Sequence, residues 1–187
     1  SVALDGNHFL AGEDLTFEWL LNEACPAIVD AGISEGCVTW PLHAWFFEEW
    51  LAEQGALLVD NDNGRSGRAT DVLLDSEAAL TIATWWNDMY QNGYYVYDGT
   101  LESWGGSRTI FYSGQSAILI SSTSDVTQAM NNSAENGLRL ATAPLPIPEG
   151  SERNGTIVGG ASLWLTADHP EEELQAALTF SLWMSNT

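Results

Sequence analysis

A chain of 187 residues, 45% of them hydrophobic and nine of them Trp, carries enough apolar surface for one folded domain or most of one, and too much for a disordered acidic tail. Its 26 Asp and Glu face five basic residues, all Arg, for a formal charge of -21. Such a surface repels phosphate backbones and anionic headgroups, whose capture relies on Lys and Arg, so nucleic acid and membrane surfaces are excluded as partners.

The missing Lys and the self-repelling surface point to a salt-adapted source, because screening shrinks to about 3 Å in 1 M salt. No run of about 18 apolar residues offers a membrane span, and no charged stretch followed by an apolar one opens the chain. A signal or anchor would lie upstream of Ser1.

Residues 16–31 place Phe17, Leu20, Leu21, Ala24, Ile28 and Ala31 at helical spacing, with Asp14 as the cap and a kink expected at Pro26. Gly32 and Gly36 flank a turn into a short strand, Cys37 to Trp40. Pro41 then opens a second helix that runs through Trp45, Phe46, Glu49 and Trp50 and stops at Gly55. Leu57 to Val59 reads as a brief strand before the polar loop 60–69. Asp75 or Ser76 caps the strongest helix, whose expected face is Ala79, Ile82, Ala83, Trp86, Met89 and Tyr90 and whose stop is Gly93.

A loop with Tyr94, Tyr95, Tyr97 and Trp104 leads to a short helix near 107–113 and the apolar strand Ala117 to Ile120. Ser121, Ser122, Thr123 and Ser124 lie where that strand hands over to a helix from Asp125. Their hydroxyls and the first free amides can bind a polar oxygen or simply cap the helix. Residues 138–143 read as another strand, 144–155 as a Pro-rich loop, 158–166 as a strand that contains Gly159 and Gly160, and 171–183 as a helix.

Cys25 and Cys37 sit on a helix and the strand after it. A hairpin-like return would allow a disulfide, but two small buried thiols are the favoured reading. His8, His43 and His169 have no ligand spacing to them, and no metal or cofactor is expected. Asp60 to Gly64 hints at a calcium loop, yet its Gly falls one position early and no Glu closes it. Nothing pairs Glu48, Glu49, Asp88 or Asp125 as a glycosidase would. The chain has no nucleophile elbow, P-loop or dinucleotide fingerprint, so no catalytic residue is expected.

Several segments in this order resemble family 1 extracellular solute-binding proteins, the glycerol-3-phosphate-binding type of ABC importer component. They are Thr39-Trp40-Pro41 with Trp45 and the helix to Trp50; Asn61 to Thr70; Trp85-Trp86 with Gly93-Tyr94; Gly114 to Ala117 leading to Ile120 to Ser124; and Val158 to Trp164. The resemblance implies an α/β chain that is one lobe of a type II periplasmic-binding-protein fold, a mixed sheet flanked by helices, incomplete at both ends. Residues 1–36 would be the inter-lobe crossover and first helix, and 37–187 the main lobe.

It also implies a hinged cleft that captures a small polar solute (glycerol-3-phosphate, a glycerophosphodiester or a sugar) for a membrane permease on the periplasmic or extracellular face. By motif, Trp40 and Trp45 would line that cleft, while Ser121, Ser122, Ser124 and the amides of Gly159 and Gly160 would bond the ligand's oxygens. The alternative is a fragment of a carbohydrate-active enzyme or a carbohydrate-binding module.

Overall fold

The computed structural model describes residues 15–137, 139–160 and 163–185. Asp14, Leu138, Ala161 and Ser162, which the sequence places in a cap and two strands, lie outside them. Thr16 caps the first helical run, its hydroxyl accepting the Trp19 N–H at 3.1 Å. That run begins as α1 (Phe17–Trp19), widens into a π-turn (Leu20–Ala24) and continues as α2 (Cys25–Asp30). The wide turn is the form the expected kink takes: Pro26 has no N–H to give the preceding turn, and the Cys25 N–H reaches back to the Leu20 carbonyl.

The strands β1 (Gly36–Thr39) and β2 (Ser116–Leu119) pair in parallel, Val38 opposite Ile118 and Thr39 opposite Leu119. On the other side of β1, Val38 bridges Tyr95 in parallel, and the Val96 N–H bonds the Val38 carbonyl at 2.9 Å. β1 is therefore central, which fits its four buried residues. Parallel neighbours need helical crossovers, and these are α3 (Ala44–Glu53), the single turn α4 (Asp60–Asn63), α5 (Glu77–Gln91) and α6 (Trp104–Tyr112). After β2, a 3-10 turn (Thr123–Asp125) leads into α7 (Val126–Glu135), and α8 (Glu171–Ser185) comes last.

The stops read from the sequence hold for α3 and α5, and so does the Ser76 cap of α5, but α3 opens at Ala44 behind a His43 cap and not at Pro41. Gly55 and Gly93 are left-handed, and the Ser76 hydroxyl accepts the Ala79 N–H. Elsewhere the expectations are corrected. Residues 57–59 form only one antiparallel bridge, Val59 with Val72. The described parts of 138–143 and 158–166 contain no strand. In α5 it is Trp85, not Ala83 or Tyr90, that joins Ala79, Ile82 and Met89 inside, while Trp86 is half-buried.

The chain divides into two compact units, one ending at Ile157 and one beginning at Val158. The first holds both strands and a core built from rings. Tyr97, Tyr95, Trp40, Trp85 and Phe17 form a column with centroid spacings of 5.7, 4.0, 5.6 and 4.0 Å, the planes within 26° of each neighbour. Trp50 from α3 stands nearly perpendicular to Phe17, Trp40 and Trp85 at 5.8, 5.4 and 5.2 Å, an edge-to-face arrangement that ring quadrupoles favour. The second unit is α8 with the segment before it. Glu171, Glu172 and Glu173 fill the first turn, where the helix dipole favours negative charge.

Cys25 and Cys37 form a disulfide with Cα atoms 5.1 Å apart, which corrects the expectation of two free thiols. The return from α2 into β1 brings the pair together, and both are wholly buried. Because the bridge closes a short loop, the double variant Cys25→Ala, Cys37→Ala should lose about 2–4 kcal/mol of stability. Urea unfolding with and without reductant measures this, and an unchanged midpoint would mean that packing alone holds α2 against β1.

Candidate functional site

In a parallel sheet all strands end on one edge, and ligands bind outside those carboxyl ends. β1 runs out through Trp40 to Leu42, and β2 through Ile120 to Ser122, with the Ile120 N–H bonded to the Thr39 carbonyl at 2.9 Å. The structure therefore brings Trp40 and the serine row to the same edge. Trp45, in the first turn of α3, lies six residues beyond the end of β1.

Trp40 does not line a cleft here. It is wholly buried, sandwiched between Tyr95 and Trp85, and the Tyr95 hydroxyl donates to its carbonyl at 2.9 Å. Motif position suggested a shelf, but the ring column claims the side chain for the core. Burial, reinforced by the neighbouring Tyr97 and Asp98, pushes the Tyr95 phenol well above its usual range, so it stays a neutral donor.

Trp45 is half-buried, and its ring lies 5.6 Å from Trp104 at 45°. His43 is 6.0 Å from Trp104 and caps α3, its Nδ1 accepting the Trp45 N–H at 3.0 Å. Its Nε2 faces Glu102 at 4.0 Å, and Glu102 is held at a left-handed φ of 57°. A side chain forced into that region costs energy, and such residues cluster at ligand clamps. Trp104 opens α6, which Ser103 caps; the Ser103 hydroxyl donates to Asp98 at 2.5 Å while accepting the Gly106 N–H. That hydroxyl and the Thr100 N–H hold the exposed Asp98 carboxyl below its usual range. A Cβ at 106 would fall 1.9 Å from Asp98 Oδ2, so any residue but Gly there would push the Asp98 carboxylate off the Ser103 cap.

The serine row is wired internally. Ser121 donates its hydroxyl to Asp125, a buried carboxylate that Arg108 grips with Nε at 3.0 Å and Nη2 at 2.7 Å. The Ser122 oxygen accepts the Ser124 N–H at 3.2 Å and the Ser124 hydroxyl at 3.0 Å, so Ser122 caps the turn. The Tyr112 hydroxyl is buried without a hydrogen-bond partner; burial, then Asp125, pushes it up against a smaller lowering by Arg108. Trp104 and the pairing of Arg108 with Asp125 are the features of this edge that the sequence does not show directly. The sequence reads Trp104 as loop, and the signal to the contrary is its four-residue spacing from Arg108 behind a Ser cap, which puts both on one helical face.

Gly159 and Gly160 belong to the second unit. Both are exposed with ordinary φ, and a Cβ on either would meet nothing within 4 Å. An open groove of about 370 Å³ is lined by Phe17, Glu18, Leu21, Leu80, Thr81, Thr84, Trp85 and Asp88, none of them an expected ligand residue. Of the four carboxylates weighed for glycosidase chemistry, two are structural. Asp125 holds Arg108, and Glu49, 4% exposed, accepts the Ile157 N–H at 2.8 Å.

The profile of the family described as bacterial extracellular solute-binding protein matches residues 16–187. The chain belongs to that family. It is 32% identical over 168 residues to the sn-glycerol-3-phosphate-binding periplasmic protein UgpB of Rhizobium meliloti (strain 1021), a match that covers 88% of this chain and 37% of that protein. Proteins of the same name from Brucella abortus (strain 2308) and Agrobacterium fabrum (strain C58 / ATCC 33970) are 28% and 27% identical over the same length. The chain spans little more than a third of the length of these curated relatives.

Burial raises the Glu49 carboxyl above its ordinary value of 4.5; the Ile157 N–H opposes this, and Glu53 and Glu48 add to it. The folded state therefore binds the Glu49 proton more tightly than the unfolded chain, so its ionised form costs stability at neutral pH. That cost disappears as pH falls through the raised value toward the ordinary one. Glu49→Gln keeps an oxygen for the Ile157 N–H and should be the more stable form at pH 7, with the gap closing in that acidic window. Urea unfolding across pH measures it, and a wild type more stable at pH 7 would contradict the reading.

Proposed function

We propose that this chain is part of the substrate-binding component of an ABC importer, which captures a small polar solute in an inter-lobe cleft and delivers it to the membrane permease. It works on the periplasmic or extracellular face and catalyses no reaction. We read both units as parts of one lobe of a type II binding-protein fold, with 1–36 as crossover and first helix and 37–187 as main lobe. One observation carries this reading beyond family membership: an aromatic wall, Trp45 with Trp104, stands at the same strand-end edge as the hydroxyls of Ser121, Ser122 and Ser124. Binding clefts combine aromatic walls with a few placed polar groups in this way.

Trp40 takes the role of support beneath that edge. Gly159 and Gly160 are proposed as ligand contacts on the resemblance, and their open backbones suit a close approach. The relatives' names make glycerol-3-phosphate the first ligand to try, with glycerophosphodiesters and sugars beside it. Calorimetric titration of the full-length gene product at high salt with glycerol-3-phosphate, glycerophosphocholine and maltose tests the proposal. Binding of one of them, weakened about tenfold by Trp45→Ala through loss of ring contact, is expected. Failure of all three to bind would sink it.

The charge of -21 supports a salt-adapted source. Self-repulsion that acts over about 10 Å at 0.1 M salt is cut to about 3 Å at 1 M. The melting temperature should rise by several degrees between these conditions, and a flat or falling profile would remove the inference.

A further inference from the structure

Two segments of the chain have the Asn-x-Ser/Thr pattern that an N-glycosylation acceptor needs, Asn131-Asn132-Ser133 and Asn154-Gly155-Thr156. The amide that takes the sugar and the hydroxyl two residues on have to be presented together, and the fold treats the two segments differently. Asn131 lies within α7, where side chains two positions apart do not face each other, and Ser133 is only 2% exposed. Folding therefore hides half of that signal.

Asn154 and Thr156 are both exposed and belong to no helix or strand. Gly155 turns the chain between them at a φ of 100°, a value that a residue with a Cβ rarely adopts. The turn is not loose. Arg153 on one side donates to the Leu145 carbonyl and lies 3.9 Å from Glu53, and on the other side the Ile157 N–H bonds the Glu49 carboxylate at 2.8 Å. The segment is pinned to α3 at both ends, with the acceptor pattern exposed between them.

The Asn154 side chain also suits the loss of one amide proton. Its backbone N–H bonds the Glu53 carbonyl at 2.9 Å, so the residue is held whatever its side chain carries. Nδ2 has two protons, and it gives them to the Glu53 and Glu152 carbonyls at 3.3 and 3.2 Å, the long end of the hydrogen-bond range. A glycosylated amide keeps one proton, so one of these long bonds survives and the backbone bond is untouched. Gly55 leaves the amide room, since a Cβ there would stand 3.0 Å from Nδ2.

We propose that Asn154 is an N-glycosylation site, modified on the outer face of the membrane by transfer of a sugar from a polyprenyl-phosphate donor. Nδ2 attacks the anomeric carbon of the donor sugar. A C–N bond forms as the C–O bond to the phosphate breaks, the amide proton passes to a base of the transferase, and the lipid phosphate leaves. The cleft takes no part, so this inference goes beyond the solute-binding reading and stands whichever solute is carried.

Peptide mass spectrometry of the full-length gene product, purified from the organism that encodes it, is the test. The peptide with Asn154 should carry a sugar mass that electron-transfer fragmentation places on that residue, and the peptide with Asn131 should carry none. Asn154→Gln and Thr156→Ala, expressed in the same host, should lose the added mass, and Thr156→Ser should keep it. Thr156→Ala leaves Asn154 and its hydrogen bonds in place, and thermal unfolding that matches wild type shows that the loss does not come from misfolding. A wild-type Asn154 peptide without sugar overturns the proposal, and so does its simple conversion to Asp, the ordinary hydrolysis of an Asn-Gly pair. Sugar retained in Thr156→Ala, or found on Asn131 in place of Asn154, overturns it as well.

Discussion

The column of rings through Trp40 is the contact on which the first unit depends. Phe17 comes from α1, Trp40 from the end of β1, Trp85 from α5, and Tyr95 and Tyr97 from the segment that flanks the sheet, so one stack ties four pieces of chain together. Trp50 adds α3 from the side. Two four-residue strands give little ladder to hold a fold, and aromatic pairs contribute about 0.5–1.5 kcal/mol each beyond the area they bury. The rings also satisfy one another's surroundings: the Trp85 indole donates to the Phe17 carbonyl at 3.0 Å and the Tyr95 hydroxyl to the Trp40 carbonyl. Among the described residues the buried Trp40 and Trp50 indole N–H groups have no such acceptor, a polar cost that the ring packing has to outweigh.

Charge is organised on the same economical terms. Among 26 acids and five arginines, the arginines that reach inward meet buried carboxylates: Arg108 meets Asp125, and Arg153 lies 3.9 Å from Glu53. Glu53 and Glu49 are one turn apart on α3, and both engage the segment that runs up to the end of the first unit. The Asn154 N–H bonds the Glu53 carbonyl at 2.9 Å, and the Ile157 N–H bonds the Glu49 carboxylate. A buried carboxylate is tolerated only where a hydrogen bond or cation meets it, so these acids mark where the loop must sit. The many remaining acids stay at the surface, where salt decides how much they repel.

Local signals were legible in the sequence and long-range ones were not. The cap at Ser76 and the stops at Gly55 and Gly93 depend on chemistry within one helical turn, and they fell where expected. Strands are different, because an apolar run becomes a strand only if a partner edge is available. Leu57 to Val59 found one bridge, and the described residues of 158–166 found none. The fate of Trp40 was equally non-local: nothing near it in sequence shows that Tyr95 and Trp85 close over its two faces. The same holds for Cys25 and Cys37, whose bridge depends on the return of α2 onto β1. In the candidate site, the serine row at a strand end could be read directly, whereas the Arg108–Asp125 pair spans 17 positions and two elements.

The ring column and the outward-facing groups occupy different parts of the same edge. The ring column fixes where β1 and β2 end, and substitutions within it act on the whole unit. The groups that face outward at that edge hang on α6, which is anchored separately by Asp98, Ser103 and the glycine at 106 that lets them approach. Trp104 and Arg108 occupy one face of that helix, the first beside Trp45 and the second paired with Asp125, which also accepts the Ser121 hydroxyl.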